Sequence, residues 1–128
     1  MASPILPPAK KILWVDDRPE NNQDIVVQFE RRGFHVSFAL STSLAMALLA
    51  RNTYIAVISD MGRAAGPREG YHLLDLMRAK GDETTFFVYA GSSEPAHVEE
   101  TLLHGGQGST RSGDELLKLV TAVAEQQA

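Results

Sequence analysis

Cysteine is absent from the 128-residue chain, which excludes disulfides, thiol catalysis and cysteine-based zinc sites. Long apolar runs are absent too: none approaches the roughly 18 residues that cross a bilayer, so we expect no membrane partner. Positive charge is not in excess, and a net charge of -4 gives no reason to expect direct nucleic acid binding. The first ten residues lack the apolar core of a signal peptide, which favours a cytoplasmic protein.

The remaining composition is that of an ordinary soluble domain, with 44% hydrophobic and 22% charged residues. A chain of 128 residues is long enough to bury one hydrophobic core. Pro4, Pro7 and Pro8 favour an extended, disordered N-terminal segment over residues 1–10. We therefore predict a single domain over residues 11–126.

Apolar segments alternate with segments of helical periodicity along the whole domain. The first kind predicts strands at about residues 11–15, 34–39, 54–59, 85–90 and 107–110. The second predicts helices at about residues 19–32, 42–51, 68–79, 95–104 and 113–124. Alternation with short connections predicts right-handed crossovers and a five-stranded parallel sheet of order 2-1-3-4-5. This is a flavodoxin-like, doubly wound α/β fold with helices on both faces of the sheet.

The helical periodicity also predicts which side chains face the sheet. In chain order these are Ile25, Val26 and Phe29; Leu44, Leu48 and Leu49; Leu73, Leu74 and Met77; Val98 and Leu102; and Leu116, Leu117, Val120 and Val123. Polar residues of the first helix, Asn22 among them, are expected to face water. Gly33 should end that helix, Ser41 or Thr42 should begin the second, and Ser112 with Glu115 forms a capping box for the last.

Acidic residues follow two of the predicted strands. Asp16 and Asp17 come directly after the first strand, and Asp60 comes directly after the third. In the predicted order these strands are neighbours, so their carboxyl ends meet at one edge of the sheet. Open α/β sheets bind ligands in the crevice outside such strand ends. Three convergent carboxylates are therefore the strongest functional feature of the sequence.

Three segments together resemble the receiver domain of two-component response regulators. They are Ile12 to Pro19, which contains the acidic pair, then Ser59-Asp60-Met61, then Gly70-Tyr71-His72-Leu73-Leu74. The resemblance covers about residues 10–125. It implies that Asp60 is a phospho-acceptor in a signalling switch and that Mg²⁺ is held by Asp16, Asp17, Asp60 and the backbone carbonyl of Gly62. It also implies a sensor histidine kinase or phosphotransfer protein as donor, and a downstream protein or domain outside this chain as output partner.

The chemistry of such a site requires these residue types. Mg²⁺ takes about six hard oxygen ligands and keeps several waters, so two or three carboxylates suffice. Without a cation, three close carboxylates repel one another. With charge balanced, a carboxylate such as Asp60 acts as the nucleophile toward a phosphoryl donor.

The sequence departs from the family at the fourth and fifth strands. Receivers carry a Thr or Ser at the end of the fourth strand, where alignment places Ala90, with Ser92 and Ser93 just beyond. They carry Lys-Pro after the fifth strand, where a gapless placement gives Ser112-Gly113. They also carry an aromatic residue within that strand, which Ser109 or a neighbour replaces here. Ser92 and Arg111 are the remaining candidate phosphate contacts.

Other interpretations of these residues stay open. Asp16 and Asp17 are also typical of a pair that caps the first helix. Arg63 and Arg68 are expected to be solvated loop charges. The missing Lys and Thr favour an alternative function, a degenerate receiver-like interaction module that does not signal by phosphotransfer. No additional acid or base supports a hydrolase, so we do not expect an enzyme.

Overall fold

Five parallel strands form one sheet in the order β2-β1-β3-β4-β5, which confirms the predicted topology. The computed structural model describes residues 10–62, 68–89 and 95–126, without the side chains of 95–97. The strands are β1 (Lys11–Val15), β2 (His35–Ala39), β3 (Ala56–Ser59), β4 (Thr85–Tyr89) and β5 (Gly108–Thr110). The segment predicted to be disordered lies outside the described residues except for Lys10, whose carbonyl accepts a hydrogen bond of 2.8 Å from the backbone of His35.

Helices connect the strands as expected. They are α1 (Gln23–Arg31), α2 (Thr42–Arg51), α3 (Glu69–Ala79), α4 (Pro95–Leu103) and α5 (Gly113–Gln126). Gly33 follows α1 with a φ of 89°, and the Ser41 and Ser112 side chains accept hydrogen bonds from the backbone N–H groups of Leu44 and Glu115, each at 3.2 Å. In the described part of the chain, none of these helices has both the length and the apolar character needed to cross a bilayer.

The first helix begins later than predicted. Residues Pro19–Asn22 form a 3₁₀ turn rather than the first turn of an α-helix. The N–H of Asn21 bonds to the carbonyl of Arg18 at 3.1 Å, the i→i+3 pattern of that turn. The turn is tied to the end of β1, because the backbone N–H of Arg18 and the amide of Asn22 both donate to the Asp16 carboxylate. Asn22 thus points to the acidic edge, and the prediction that it faces water is wrong.

Alternate strand residues enter two separate cores, one on each face of the sheet. Ile12 and Trp14 pack with Phe29 and Leu116 on the side of α1 and α5. Leu13 and Val15 pack on the other side with side chains that include Leu73, Leu74 and Met77 of α3. This two-residue period is that of a strand whose both faces are covered.

Two predicted core positions are wrong. Leu44 is 52% exposed, and the buried residue of α2 is Ala45. Ala45, Leu48 and Leu49 define the inward face, and Leu44 lies about 100° around the helix from Ala45, at the flank. Leu102 of α4 is also 52% exposed, because α4 rests on α3 through polar and aromatic contacts instead.

Arg78 of α3 joins three segments at the opposite edge of the sheet. Its guanidinium donates to the carbonyl of Gly105 (3.1 and 2.8 Å), and to those of Asp82 (2.7 Å) and Thr84 (2.9 Å). These bonds connect the end of α3, the turn into β4 and the turn between α4 and β5. Gly105 has a φ of 96°, and a Cβ there would lie 3.2 Å from Nε of Arg78. The turn therefore depends on glycine at this position.

Candidate metal centre

The strand register places the two acidic segments side by side. Val15 pairs with Ala39 on one side and with Ser59 on the other. Immediately beyond, the backbone N–H of Asp16 donates to the carbonyl of Ala39 at 3.0 Å, and that of Asp60 donates to Val15 at 3.1 Å. The backbone hydrogen bonding of the sheet thus continues one residue past β1 and β3 and fixes the backbone of Asp16 and Asp60.

The three predicted carboxylates come together at this edge. Asp16, Asp17 and Asp60 each offer an oxygen, and these atoms lie within 4.8 Å of one another. Asp16 is buried, with 7% of its surface exposed, and the other two are half-buried. Three negative charges in so small a space favour a bound cation.

Asp16 is oriented by hydrogen bonds to both of its oxygens. Oδ1 accepts the N–H of Arg18 at 2.8 Å, and Oδ2 accepts the side-chain amide of Asn22 at 2.8 Å. Each oxygen keeps a second acceptor position, so these bonds fix the carboxylate without blocking it. Asn22 is the residue of this site that the sequence analysis missed. In the sequence, the contact of Asn22 with Asp16 is indicated only by the short separation of the two residues along the chain.

Gly70 explains why a glycine belongs to the motif far downstream of Asp60. Its N–H donates to the carbonyl of Met61 at 2.9 Å. A Cβ at this position would lie 2.5 Å from the carbonyl oxygen of Asp60, closer than any side chain tolerates. The start of α3 is therefore packed directly on the backbone that carries Asp60, and Ser59 adds a 2.7 Å bond from its hydroxyl to the same carbonyl.

The other predicted site residues are distributed around this centre. Gly62 is exposed on the segment that follows Asp60, and its role as a carbonyl ligand stays a prediction. Ala90, Ser92 and Ser93 lie outside the described residues, as does Arg63.

The end of β5 is built around hydroxyl groups. Thr110 is buried, and its Oγ1 accepts the N–H of Ser112 at 3.0 Å. Ser112, which a gapless placement of the sequence puts where receivers carry a lysine, is the N-cap of α5. Arg111 lies between them and is exposed. Ser112 therefore has a structural role of its own, and Arg111 is the nearest basic residue in sequence.

The donor set fits Mg²⁺. All three side chains offer carboxylate oxygens, the ligand type that this hard cation prefers, and they lie at the carboxyl ends of β1 and β3.

Neither a family model nor a curated protein sequence matches the chain. Solved structures do. The structure of the Francisella response regulator 1452 receiver domain is similar with a TM-score of 0.83 and 24% identity, over 93% of this chain and 99% of that one. The chemotaxis response regulator CheY4 of Vibrio cholerae gives a TM-score of 0.76 and 21% identity, over 90% and 98%.

A receiver domain of a signal transduction histidine kinase from Syntrophus aciditrophicus is similar as well, with a TM-score of 0.76 and 20% identity over 92% of both chains. Identities this low establish the fold. The resemblance found in the sequence is confirmed at this level: the chain has the fold of response-regulator receiver domains.

Proposed function

We propose that this chain is a cytoplasmic signalling domain that is phosphorylated on Asp60 in a Mg²⁺-dependent reaction. One observation carries the proposal: in a receiver fold, Asp16, Asp17 and Asp60 bring carboxylate oxygens within 4.8 Å of one another at the carboxyl ends of β1 and β3. Structural carboxylates that only cap a helix do not require a third carboxylate from another strand.

Each residue has a distinct role in this proposal. Asp16, Asp17, Asp60 and the carbonyl of Gly62 hold the ion, which when bound supplies positive charge to the phosphoryl oxygens. Arg18 and Asn22 hold the Asp16 carboxylate in place. Gly70 lets the start of α3 pack directly against the backbone of Asp60.

The transfer is a substitution at phosphorus. A carboxylate oxygen of Asp60 forms the new O–P bond while the bond from phosphorus to the leaving atom of the donor breaks, and that atom keeps the electron pair. For a phosphohistidine donor the leaving atom is an imidazole nitrogen. The partner that presents it is a sensor histidine kinase or phosphotransfer protein, and the output is received by a protein or domain outside this chain.

The contacts of the transferred phosphoryl group are unusual for the family. Ser92 and Arg111 are our candidates for them, since Ala90 has no hydroxyl and Ser112 caps α5. A preorganised cation normally stabilises the charge that develops on the phosphoryl oxygens. An exposed arginine does this less well, so we expect slow phosphorylation that slows several-fold further in Arg111→Ala.

Intact-mass measurement after incubation with a small phosphodonor tests the function. Wild type should gain one phosphoryl group with Mg²⁺ and none with Mg²⁺ chelated. Asp60→Asn should gain none. Asp24→Asn, which removes an exposed carboxylate of α1, is the matched control and should react as wild type does. A wild type that binds Mg²⁺ but never gains mass would instead favour the interaction module.

A further inference from the structure

Helix α4 has little apolar anchorage. Among its described side chains only Thr101 is fully buried, whereas Leu102 is 52% and Leu103 86% exposed. The helix is held to α3 by a group of polar and aromatic side chains that we call the clasp. Its members are Arg68, Tyr71 and Asp75 on the side of α3, and Glu100, Thr101 and His104 on the side of α4.

The centre of the clasp is the ring of Tyr71. The imidazole of His104 stacks on it with centroids 4.4 Å apart and planes within 3°. The guanidinium of Arg68 lies over the same ring, 4.9 Å from its centroid. The Tyr71 hydroxyl is 3.2 Å from that of Thr101. Tyr71 of α3 therefore contacts the last turn of α4 and the residue that follows it.

Charged groups surround this ring. Arg68 donates a hydrogen bond to Glu100, and this bond lowers the pKa of the Glu100 carboxyl and raises that of the Arg68 guanidinium. Nδ1 of His104 lies 2.7 Å from Oδ1 of Asp75, within hydrogen-bond distance. Nε2 of the same ring is 3.7 Å from Glu100. These charged contacts are partly exposed and can break while the Tyr71 ring stays buried in its core.

The clasp begins where the phospho-acceptor segment ends. Arg68 immediately precedes α3, and Gly70, two residues on, is bonded to Met61 and packed against the carbonyl of Asp60. Any shift of the Asp60 backbone must therefore move the first turn of α3. Arg68 extends from that turn to Glu100 of α4. A continuous set of packed contacts thus runs from Asp60 to α4 without using the end of β4.

We propose that the clasp carries the phosphorylation state of Asp60 to α4, by loosening or strengthening the contact between Arg68 and Glu100. This rests on the proposed function. In the receivers that this sequence resembles, a hydroxyl at the end of the fourth strand makes that connection, and Ala90 offers none. The clasp would supply this connection between Asp60 and α4 through Arg68 and Gly70 at the start of α3. The exposure of Leu102 and Leu103 would then change with the phosphorylation state.

Backbone hydrogen exchange of α4 tests the proposal, with and without Mg²⁺ and beryllofluoride as a stable mimic of the phosphoryl group. In wild type the exchange rates over residues 98–103 should change when the mimic binds. Glu100→Gln should speed exchange there roughly two- to fivefold without the mimic, the scale of an exposed ion pair, and should lose most of the response to it. Glu99→Gln is the matched control, since Glu99 is the exposed neighbour and should respond as wild type does.

The outcomes separate the two proposals. Fluorine NMR of the bound mimic shows whether the acceptor site is occupied. If the mimic binds and α4 responds equally in Glu100→Gln and Glu99→Gln, the clasp does not transmit and the inference is wrong, while the function stands. If no mimic binds to wild type, the proposed function fails, and transmission from Asp60 fails with it. Exchange of α5 should stay constant across the three proteins, which excludes global unfolding as the cause.

Discussion

Helices α4 and α5 lie on opposite sides of the sheet and are attached in different ways. Helix α5 buries Leu116, Leu117 and Val120, each with at most 2% exposed, and begins at a capping serine. Helix α4 leaves Leu102 and Leu103 in solvent and reaches α3 through the clasp. Helix α5 is an integral part of a core, whereas α4 is attached by partly exposed ion pairs around the buried ring of Tyr71.

The difference determines which of the two helices can be displaced at a lower cost in free energy. Each fully buried Leu or Val contributes about 1.5–3 kcal/mol, so displacing α5 costs a large share of the total stability of a small domain. Hydrogen bonds and exposed ion pairs largely exchange protein partners for water, and their net contribution is smaller. If Asp60 is phosphorylated as proposed, the same free energy would displace α4 further than α5.

The largest expected difference between the two helices is the loss of stability when an apolar side chain is removed. Leu116→Ala should lower the free energy of unfolding by about 3 kcal/mol, because the side chain is fully buried and leaves a cavity. Leu103→Ala should stay within about 0.5 kcal/mol of wild type, because 86% of that residue is already exposed. Denaturant titrations of the two variants measure this directly. Equal losses would mean that α4 is as firmly packed as α5.

The turn that follows α4 is held by the guanidinium of Arg78, which donates to the carbonyl of Gly105. Arg78→Met should lower the free energy of unfolding by about 2 kcal/mol, because carbonyls of Gly105, Asp82 and Thr84 lose a charged donor. Arg51→Met, at the exposed end of α2, is the control and should have little effect. Denaturant midpoints again give the answer. A loss no larger than that of the control would show that the turn before β5 does not depend on Arg78.

The acidic edge can be tested apart from both helices. Asp60→Asn should leave the metal-free protein at least as stable as wild type, with a gain of up to about 1 kcal/mol, because it relieves repulsion among the three carboxylates. Thermal unfolding with and without Mg²⁺ measures the effect, and Asp24→Asn corrects for the change in net charge. Clear destabilisation without metal would show that Asp60 serves mainly to hold the fold.

The smallest expected effect is a pH dependence confined to α4. The pKa of Glu100 is lowered by its hydrogen bond with Arg68, from an ordinary value of 4.5. The stabilisation of α4 by the Glu100–Arg68 pair is therefore present above about pH 4.5 and is lost as the pH falls through the lowered pKa. Hydrogen exchange of α4 should accelerate in that range in wild type. Glu100→Gln lacks this step while keeping every other acid, and an identical profile in both proteins would contradict the assignment.

The sequence predicted what periodicity and strand order determine. A two-residue period places Ile12, Leu13, Trp14 and Val15 in two cores, and the alternation of elements determines that strands one and three are neighbours. From this the convergence of Asp16, Asp17 and Asp60 followed. It could be predicted because it depends on the backbone and not on side-chain detail.

Contacts between separate elements were not predictable in the same way. Asn22 turns toward Asp16 because a 3₁₀ turn replaces the first turn of a helix, a difference in hydrogen bonding that leaves no periodic signal. Arg68 was expected to be a solvated charge, and its partner Glu100 is 32 residues away. Leu102 was expected to face the sheet on helical spacing, but the stacking of Tyr71 with His104 determines how α4 rests on α3.

The most direct test of the central claim is the position of the phosphoryl group. Borohydride reduces an aspartyl phosphate to homoserine, so reduction followed by peptide mapping identifies the residue that carried it. After treatment with a small phosphodonor and Mg²⁺, we predict that homoserine appears at position 60 and that its formation requires Mg²⁺. Homoserine at position 16 or 17, or a phosphoryl group retained on Ser92, would contradict the assignment of Asp60 as the phospho-acceptor.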